Sequence, residues 1–593
     1  MKYCREIYRT KRWVTREVKV GGVGVGGDNP IRIQSMTTSD TKDVESTTKQ
    51  IMRLSDAGCE IVRVTVPGKR EALACARIKN ALIRKGYKIP LVADIHFYPP
   101  AALLVVESVD KVRINPGNFV GFGQRSQTST YDAAQYVAEM QKIEDTLSPL
   151  IERCLLLKRA IRIGVNHGSL SERVMQRYGN TPKGMVESAL EFAHICRKLD
   201  YHDFIFSMKA SNPRVMIQAY RLLVAEMMGR EWNYPLHLGV TEAGDGEDGR
   251  VRSSLGIGAL LLDGLGDTLR VSLTEDPWEE IDPCKRLVLL AENYRGRGVS
   301  PFVETYRDIS AIERRDVRVT SPLHRDGSVI IAGRTGNGVK ANAYFSGEEI
   351  LCEDRRIPVI PIEKLSAPHD GVVYIKDGGP AVWSKLLRYS VAWVLLEMTQ
   401  SILHQGRFFF EWIRGVGLHL PVVLVGDYSG DEEDVVIWSS AEIGALLVDG
   451  LGEGVMLRTD FDASPLSFNI LQACRMRSTK TEFVACPGCG RTLFNLQEVT
   501  KRIRSCTSHL SGVKIAIMGC IVNGPGEMAD ADFGYVGSGR DKVDLYVEKT
   551  CIEKNIHFSD AEAKLVELIK RYGRWEEPQP KRDYSKTNFC VGK

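Results

Sequence analysis

The stretch EIVRVTVPGKREALACARIKNALIRKGYKIPLVADIHF (60–97) has a β-branched run at each end and a helical pattern between them. The end segments, 60–66 and 91–97, are of strand length and rich in Val and Ile. The segment 69–85 has apolar residues at the spacing of an amphipathic helix. Such a unit predicts two parallel strands joined by a helix, the building block of α/β folds.

The same alternation continues on both sides of this unit, from about residue 31 to residue 296. Further helices are predicted at 43–57, 182–199 and 213–228. The predicted strands are 31–36, 60–66, 91–97, 111–117, 161–166, 203–210, 236–243 and 269–274. Eight strands that alternate with helices predict a (β/α)8 TIM barrel over 1–296. The alternative is a doubly wound open sheet, which the strand count and the many polar strand ends disfavour.

Charged and polar side chains recur within or at the ends of these strands. They are Arg63, Asp94, His96, Arg113, Asn115, Arg162, Asn166, Lys209, Glu242, Arg270 and Ser272. In barrels of this kind the carboxyl ends of the strands converge on one mouth. Five cations there would repel each other unless an anion neutralised them, and Arg forks suit phosphate. Each residue alone could be a salt-bridged strand end, but the recurrence from strand to strand favours an anion site.

A glycine-rich segment, GGVGVGG (21–27), contains a formal GxGxxG pattern. A dinucleotide site requires these glycines to open a helix directly after a strand. Here they run into DNP and another predicted strand, so the segment is interpreted as a hairpin or a barrel plug.

An internal repeat connects the first part of the chain to its middle. IGALLLDGLG (257–266) recurs as IGALLVDGLG (443–452), an offset of 443 − 257 = 186 residues. Self-similarity of this kind indicates one supersecondary unit used twice. Together with strands predicted at 328–333, 356–361 and 371–375, it predicts an inserted second barrel-like α/β domain over 297–478.

The two copies differ in their polar residues. At the offset of 186, Glu242 aligns with Tyr428 and Arg270 with Met456. The apolar pattern persists while the polar strand ends do not. We therefore expect the second domain to be a structural spacer and not a second active site.

The last segment, 479–593, predicts a small α/β domain with three cysteines in two loops. Cys486 and Cys489 form a CxxC within CPGCGR (486–491), and Cys520 opens CIVNGPGE (520–527) after an apolar strand. A CxxC in a tight turn aims two sulfurs at one metal centre.

The spacing does not fix a fourth ligand for this centre. The candidates are Cys506, His509, Cys551 and Glu527, of which Glu527 shares a loop with Cys520. An iron–sulfur cluster, a zinc ion and free thiols all remain open on spacing alone. If a carboxylate closed a cluster, one iron would be more readily opened to substrate, as a catalytic site requires.

The composition limits the classes of partner. The 593 residues include 79 basic and 75 acidic side chains, a net charge of +4, so we expect neither nucleic-acid nor membrane binding. No stretch has the length and apolarity of a membrane span, and the N-terminus lacks a signal-peptide core. Fourteen cysteines, most of them isolated, are typical of free thiols in a reducing compartment, which predicts a cytoplasmic protein.

These motifs resemble those of the 4-hydroxy-3-methylbut-2-enyl diphosphate synthases. CPGCGR with MGCIVNGPGE is similar to the cluster motif of that family. QSMTTSDT, IVRVTVP, VADIHF, VRINPGN, IRIGVNHGSL and GVTEAG are similar to its barrel segments. The resemblance covers the first and last segments, and the inserted middle segment resembles the three-domain form of the family.

The resemblance assigns roles to individual residues. It implies a [4Fe–4S] cluster bound by Cys486, Cys489, Cys520 and Glu527. It implies substrate contacts from Arg63, Asp94, His96, Arg113, Arg162, Asn166, Lys209, Arg270 and Ser272. It also implies that Glu242 donates a proton and that Asn523 of the cluster loop contacts substrate.

The implied reaction belongs to the methylerythritol phosphate pathway of isoprenoid biosynthesis. It is the two-electron reductive opening and dehydration of 2-C-methyl-D-erythritol 2,4-cyclodiphosphate to (E)-4-hydroxy-3-methylbut-2-enyl diphosphate, with ferredoxin or flavodoxin as electron donor. Closure of the cluster domain onto the barrel within one chain or across a homodimer remains open. Two other functions compete: a metal-containing barrel enzyme for another phosphorylated small molecule, and a non-catalytic iron sensor or electron carrier, which would not need five convergent cations.

Overall fold

A computed structural model describes residues 1–120, 131–333, 341–352, 355–522, 526, 528 and 530–578. These residues form two eight-stranded barrels followed by a five-stranded sheet domain. None of the helices within them combines the length and the apolarity that crossing a lipid bilayer requires.

The first barrel follows a short hairpin of β1 (Val18–Val20) and β2 (Val23–Val25). Its strands are β3 (Arg32–Met36), β4 (Ile61–Thr65), β5 (Leu91–Ile95), β6 (Lys111–Ile114), β7 (Ala160–Asn166), β8 (Phe204–Lys209), β9 (His237–Leu238) and β10 (Thr268–Leu269). All of them pair in parallel, and a bridge between Phe206 and Leu236 closes the ring. The predicted TIM barrel is confirmed.

Helices connect these strands and begin at recognisable signals. They are α1 (Val44–Ala57), α2 (Lys69–Arg84), α3 (Pro99–Val105), α4 (Pro116–Phe119), α5 (Ala133–Leu157), α6 (Glu172–Tyr178), α7 (Pro182–Lys198), α8 (Pro213–Gly229), α9 (Gly246–Leu262) and α10 (Ile281–Tyr294). Asp43, Thr181 and Asn212 each accept a hydrogen bond from a backbone N–H of the helix that follows, and Pro occupies the first position of α7 and α8. A 3-10 helix at Pro277–Glu280 precedes α10.

The hairpin closes the amino end of the first barrel. Its apolar side chains pack against the first residues of four strands: Val18, Val20 and Val25 contact a cluster that contains Ile61, Val92, Ala160 and Ile205. The segment 21–27 is thus the turn and second strand of a plug, as predicted.

The second barrel is a closed ring of eight strands. They are β11 (Ser328–Ala332), β12 (Ala343–Phe345), β13 (Glu349–Cys352), β14 (Arg355–Pro361), β15 (His369–Lys376), β16 (Val391–Glu397), β17 (Val422–Asp427) and β18 (Gly454–Arg458). Strand β13 runs antiparallel to both neighbours, and the other pairs are parallel. The helices are α11 (Pro380–Trp383), α12 (Lys385–Arg388), α13 (Ile402–Gly415), α14 (Glu432–Val448) and α15 (Ser464–Ala473), with a 3-10 turn at Ile362–Lys364. The predicted second barrel-like domain is confirmed.

The two copies of the sequence repeat pack against each other through α9 and α14. A Cβ at Gly258 would lie 2.3 Å from the Cβ of Ala441, and a Cβ at Gly444 would lie 2.6 Å from Leu255 Cδ1. These contacts are reciprocal, because 258 + 186 = 444 and 255 + 186 = 441. The barrels therefore face each other about a pseudo-two-fold axis, as in an isologous dimer.

A buried ion quartet lies at the end of this interface and obeys the same offset. Arg221 contacts Asp263 (2.8 Å) and Asp449 (2.5 Å). Arg407 contacts Asp263 (2.7 Å) and Asp449 (3.2 Å). All four side chains are fully buried, so each charge depends on the opposite charges of the set.

The third domain, hereafter the cysteine domain, combines a mixed sheet with helices. Its strands are β19 (Glu482–Ala485), β20 (Lys514–Met518), β21 (Phe533–Gly539), β22 (Lys542–Val547) and β23 (Thr550–His557). The first three are parallel and the last two complete an antiparallel meander. The helices are α16 (Leu496–Thr507) and α17 (Phe558–Arg571).

Candidate active site between the barrel mouth and the cysteine loops

A cavity of about 60 Å³ lies where the mouth of the first barrel meets the cysteine domain of the same chain. From the barrel it is lined by Met36, Arg63, Asp94, His96, Arg113, Asn166, Lys209, Thr241, Glu242, Arg270 and Ser272. From the cysteine domain it is lined by Cys486, Pro487, Gly488, Cys489, Arg491, Thr492 and Cys520. By volume this cavity would hold a few water molecules.

Most of the predicted site residues meet in this cavity, because they follow the carboxyl ends of neighbouring parallel strands. Arg162 does not line it: its guanidinium group is fully buried deeper in the barrel, without a hydrogen-bond partner among the described residues. Asn115 caps α4 and bonds Ser169, outside the cavity. Asn523 and Glu527 lie outside the described residues.

Arg113 organises one wall of the cavity. Its Nη1 donates to Asp94 Oδ1 (2.9 Å) and lies beside His96, while its Nη2 donates to the Gly164 carbonyl (3.0 Å) and to Asn166 Oδ1 (3.1 Å). The register of β5 and β6 places Asp94 directly beside Arg113. The guanidinium group is thus held in one orientation by four neighbours.

The charges of this wall shift the pKa of its members. Burial alone would raise the pKa of Asp94, but Arg63 and Arg113 hold it well below the usual range. Burial and the adjacent Arg113 lower the pKa of His96 to about 3, so its imidazole is neutral near pH 7. Lys209 is buried among cations, and burial followed by the repulsion of Arg63 holds its pKa well below the usual range. The mouth of the first barrel therefore has too few carboxylates to balance its cationic side chains.

Arg270 on the opposite wall has a carboxylate partner that the sequence did not reveal. Its Nε and Nη2 donate to the two oxygens of Glu280 at 2.8 and 2.7 Å. Glu280 lies in the 3-10 helix before α10 and also accepts from Ser35 Oγ. This bidentate pair fixes the guanidinium plane at the cavity.

Glu242 follows β9 with its side chain 1% exposed and lining the cavity. Its φ of 50° lies in the left-handed region, which a Glu rarely adopts. Nearby, a Cβ at Gly239 would lie 2.8 Å from Lys209 Nζ and 2.9 Å from the Arg270 carbonyl, so only glycine leaves room for these groups. Strained backbone of this kind is concentrated at functional sites.

The three cysteines sit on the other side of the cavity. Cys486 follows β19 and Cys520 lies two residues after β20, the parallel neighbour of β19, so both emerge at the same edge of the sheet. The Gly519 N–H donates to Cys486 Sγ at 3.3 Å. Of the other ligand candidates, Cys506, His509 and Cys551 do not line the cavity. Among the described residues, no three His, Cys, Asp or Glu side chains are arranged to hold a single metal ion.

Several contacts seat the cysteine domain on the barrel of its own chain. Ala243 and Ala485 form a parallel bridge, and Thr274 Oγ1 donates to the Cys486 carbonyl at 3.0 Å. Arg491 Nη2 donates to the Asp94 carbonyl at 3.2 Å. At Gly490 a Cβ would lie 2.6 Å from Thr65 Oγ1. The docking therefore depends on close backbone approach as well as on side chains.

The mouth of the second barrel is chemically different. Arg458 at the end of β18 is committed to Glu397 (2.7 Å) and Asp427 (2.9 Å), and Tyr428, at the position equivalent to Glu242, donates to Glu442. These charges neutralise one another within the barrel. No described cysteine of the cysteine domain lines the cavity at this mouth.

Comparisons with known proteins match both parts of the site. A family model described as the GcpE TIM-barrel domain matches residues 15–285, and one described as the GcpE protein C-terminal domain matches residues 482–571. A Protochlamydia amoebophila protein named 4-hydroxy-3-methylbut-2-en-1-yl diphosphate synthase (flavodoxin) is 53% identical, over 98% of this chain and 99% of that protein. A chloroplastic rice protein named as the ferredoxin form is 47% identical, over 97% of this chain and 89% of that protein. An Akkermansia muciniphila protein named as the flavodoxin form is 45% identical, over 97% and 99% respectively. The chain belongs to the 4-hydroxy-3-methylbut-2-en-1-yl diphosphate synthase family.

Proposed function

We propose that this chain is the oxidoreductase that opens 2-C-methyl-D-erythritol 2,4-cyclodiphosphate reductively and dehydrates it to (E)-4-hydroxy-3-methylbut-2-enyl diphosphate. The observation that carries this proposal is the single cavity with cationic groups on the barrel side and three cysteines on the other. It unites a site for an anion with a site for a redox group, and membership of the family supplies the reaction.

The barrel side is suited to the diphosphate. Arg63, Arg113, Lys209 and Arg270 reach the cavity, where the carboxylates among the described residues are Asp94, Glu242 and Glu280. Arg162, which has no hydrogen-bond partner among the described residues, is buried in the same barrel. A bound diphosphate would offset the surplus positive charge and accept hydrogen bonds from the Arg forks. Asn166, His96 and Ser272 would provide neutral hydrogen-bonding groups around the sugar-derived part.

The cysteine side is suited to a [4Fe–4S] cluster. Three sulfurs reach one wall, and in the described part of the chain they are not grouped around a single ion, whereas a cluster gives each ligand its own iron. Cys486, Cys489 and Cys520 would bind it, with Glu527 as the fourth ligand by family resemblance. When bound, the cluster would supply the electrons one at a time.

The remaining step of the reaction is a loss of water, for which Glu242 is the proposed acid. Its side chain is buried and faces the cavity, and its strained backbone fixes its position. A general acid held in this way accelerates departure of a hydroxyl group. Asn523, on the cysteine-loop side, is proposed to contact the substrate.

The partners and setting follow from the same proposal. Ferredoxin or flavodoxin would deliver electrons, as the names of the relatives state for those proteins. The described cysteines form no disulfide with one another, which supports a reducing compartment such as the cytoplasm. The second barrel, packed on the first through α9 and α14, is proposed to be a spacer that supports docking of the cysteine domain within one chain, with homodimerisation not required for a complete site.

Anaerobic turnover tests the proposal. Iron-loaded protein should be brown, with broad absorption near about 400 nm from thiolate–iron charge transfer. It should convert the cyclodiphosphate with a chemical reductant, and Cys520→Ser should lose both absorption and turnover. A colourless protein, or an iron-loaded protein that leaves the cyclodiphosphate intact under full reduction, would refute it.

A further inference from the structure

We infer that Arg491 is a positioning residue that couples docking of the cysteine domain to binding of the anionic substrate. This inference rests on the proposed function and extends it to a residue of the cysteine loop. Arg491 follows Cys489 by two positions, yet its guanidinium group contacts the barrel. It therefore links the two halves of the site directly.

The contact is specific and buried. Arg491 Nη2 lies 3.2 Å from the Asp94 carbonyl oxygen, and its Nη1 lies 3.5 Å from Asp94 Oδ2. The Arg491 side chain is 9% exposed and the Asp94 side chain 3% exposed. Both residues line the cavity. A planar fork that reaches a carboxylate and a carbonyl of one residue has a defined orientation.

Other ion pairs between these domains avoid the cavity. Arg504 contacts Asp245 (2.9 Å) and Asp248 (3.3 Å), and Arg252 lies 3.9 Å from Glu482. None of these residues lines the cavity. Among the described residues, Arg491 and Asp94 form the ion pair between these two domains in which the barrel residue lines the cavity.

The charge balance explains why this pair would respond to substrate. Asp94 already accepts from Arg113, so in the docked arrangement two guanidinium groups share one carboxylate. Docking of the cysteine domain thus brings the Arg491 guanidinium group to the cationic mouth. A diphosphate bound there would attract this group and favour the docked arrangement. By linkage, substrate would tighten docking and docking would tighten substrate binding by the same factor.

Substrate binding to the oxidised, iron-loaded protein tests this inference without turnover. Calorimetric titration with the cyclodiphosphate should give a Kd for Arg491→Gln that is at least about 10-fold above that of the unchanged protein, a typical size for such coupling. Arg491→Lys keeps the charge and loses the fork, so its Kd should fall between the two. Small-angle scattering should show substrate-induced compaction in the unchanged protein and a weaker response in Arg491→Gln.

Arg504→Gln is the matched control, because it removes another inter-domain Arg–Asp contact away from the cavity. Its Kd should stay within about twofold. Equal binding by Arg491→Gln and the unchanged protein would overturn this inference alone. Loss of iron from Arg491→Gln would also overturn it, since Arg491 would then support the cysteine loop. Failure of the unchanged, iron-loaded protein to bind the cyclodiphosphate would refute this inference and the proposed function together.

Discussion

Replacing Arg407 by Met should destabilise the pair of barrels strongly. Arg407 is fully buried and contacts Asp263 at 2.7 Å and Asp449 at 3.2 Å. After the substitution, both carboxylates would share Arg221, with Arg307 also at 2.7 Å from Asp449. Because Arg307 also pairs with Glu304, one carboxylate charge would remain uncompensated, and breaking a buried ion pair in this way costs about 3–5 kcal/mol.

Guanidinium chloride unfolding, followed by tryptophan fluorescence, measures this cost. Arg286→Met is the control. The Arg286 side chain also bridges the barrels, to Asp431 and Asp434, but it is 21% exposed, so its loss should cost at most about 1 kcal/mol. Arg407→Met combined with Asp263→Asn should cost less than the sum of the single changes, because a charge of each sign is removed. A cost of Arg407→Met no larger than that of Arg286→Met would contradict this prediction.

Three further predictions concern the cavity. Gly490→Ala would place a Cβ 2.6 Å from Thr65 Oγ1, so turnover should fall at least about 10-fold at unchanged iron content, whereas Gly22→Ala, with open space around it, should have no effect. Glu242→Gln should lower kcat by about 10²–10⁴-fold and leave the substrate Kd within a few-fold; an unchanged kcat would remove Glu242 from the proton-donor role. His96 should titrate near its lowered pKa of about 3 in an NMR experiment, and a midpoint near 6.5 would contradict its burial. The unfolded chain protonates this imidazole below about pH 6.5, whereas the folded chain does so only near pH 3. His96 should therefore lower the free energy of unfolding progressively as the pH falls from about 6.5 to about 3.

The sequence predicted the first barrel well because each strand is a compact β-branched run. All eight predicted strands are present. Strands β9 and β10 are shorter than predicted: β9 ends at Leu238 and β10 at Leu269, and residues that follow them, such as Glu242 and Ser272, line the cavity. Strand β23 (Thr550–His557) was not predicted, because half of its residues are exposed and it carries charged residues without apolar alternation.

Site residues on strands were predictable, and those that act through tertiary contacts were not. Nine strand-end residues line the cavity, as expected for a barrel mouth. Glu280 lies in a 3-10 helix with no strand pattern, and its pairing with Arg270 depends on the fold of the following segment. Arg491 stands within a recognised cysteine motif, but its contact with Asp94 spans 397 positions and appears only when the domains dock.

The sequence contains the residues for the reciprocal packing of the two barrels, but the packing could not be predicted from them. The offset of 186 relates both Gly258 to Gly444 and Arg221 to Arg407. Duplication alone does not say whether the copies touch. The small residues and opposite charges of the two copies can be identified as interface contacts only once α9 and α14 are seen to pack against each other.

The seating of the cysteine domain on the barrel of its own chain has a consequence for kinetics. Two half-sites in one polypeptide meet at an effective concentration fixed by the intervening segments and independent of the protein concentration. Assembly of the complete site is then a first-order process. Activity per molecule should stay constant on dilution to nanomolar protein, where a pair of subunits that complete each other's sites would come apart.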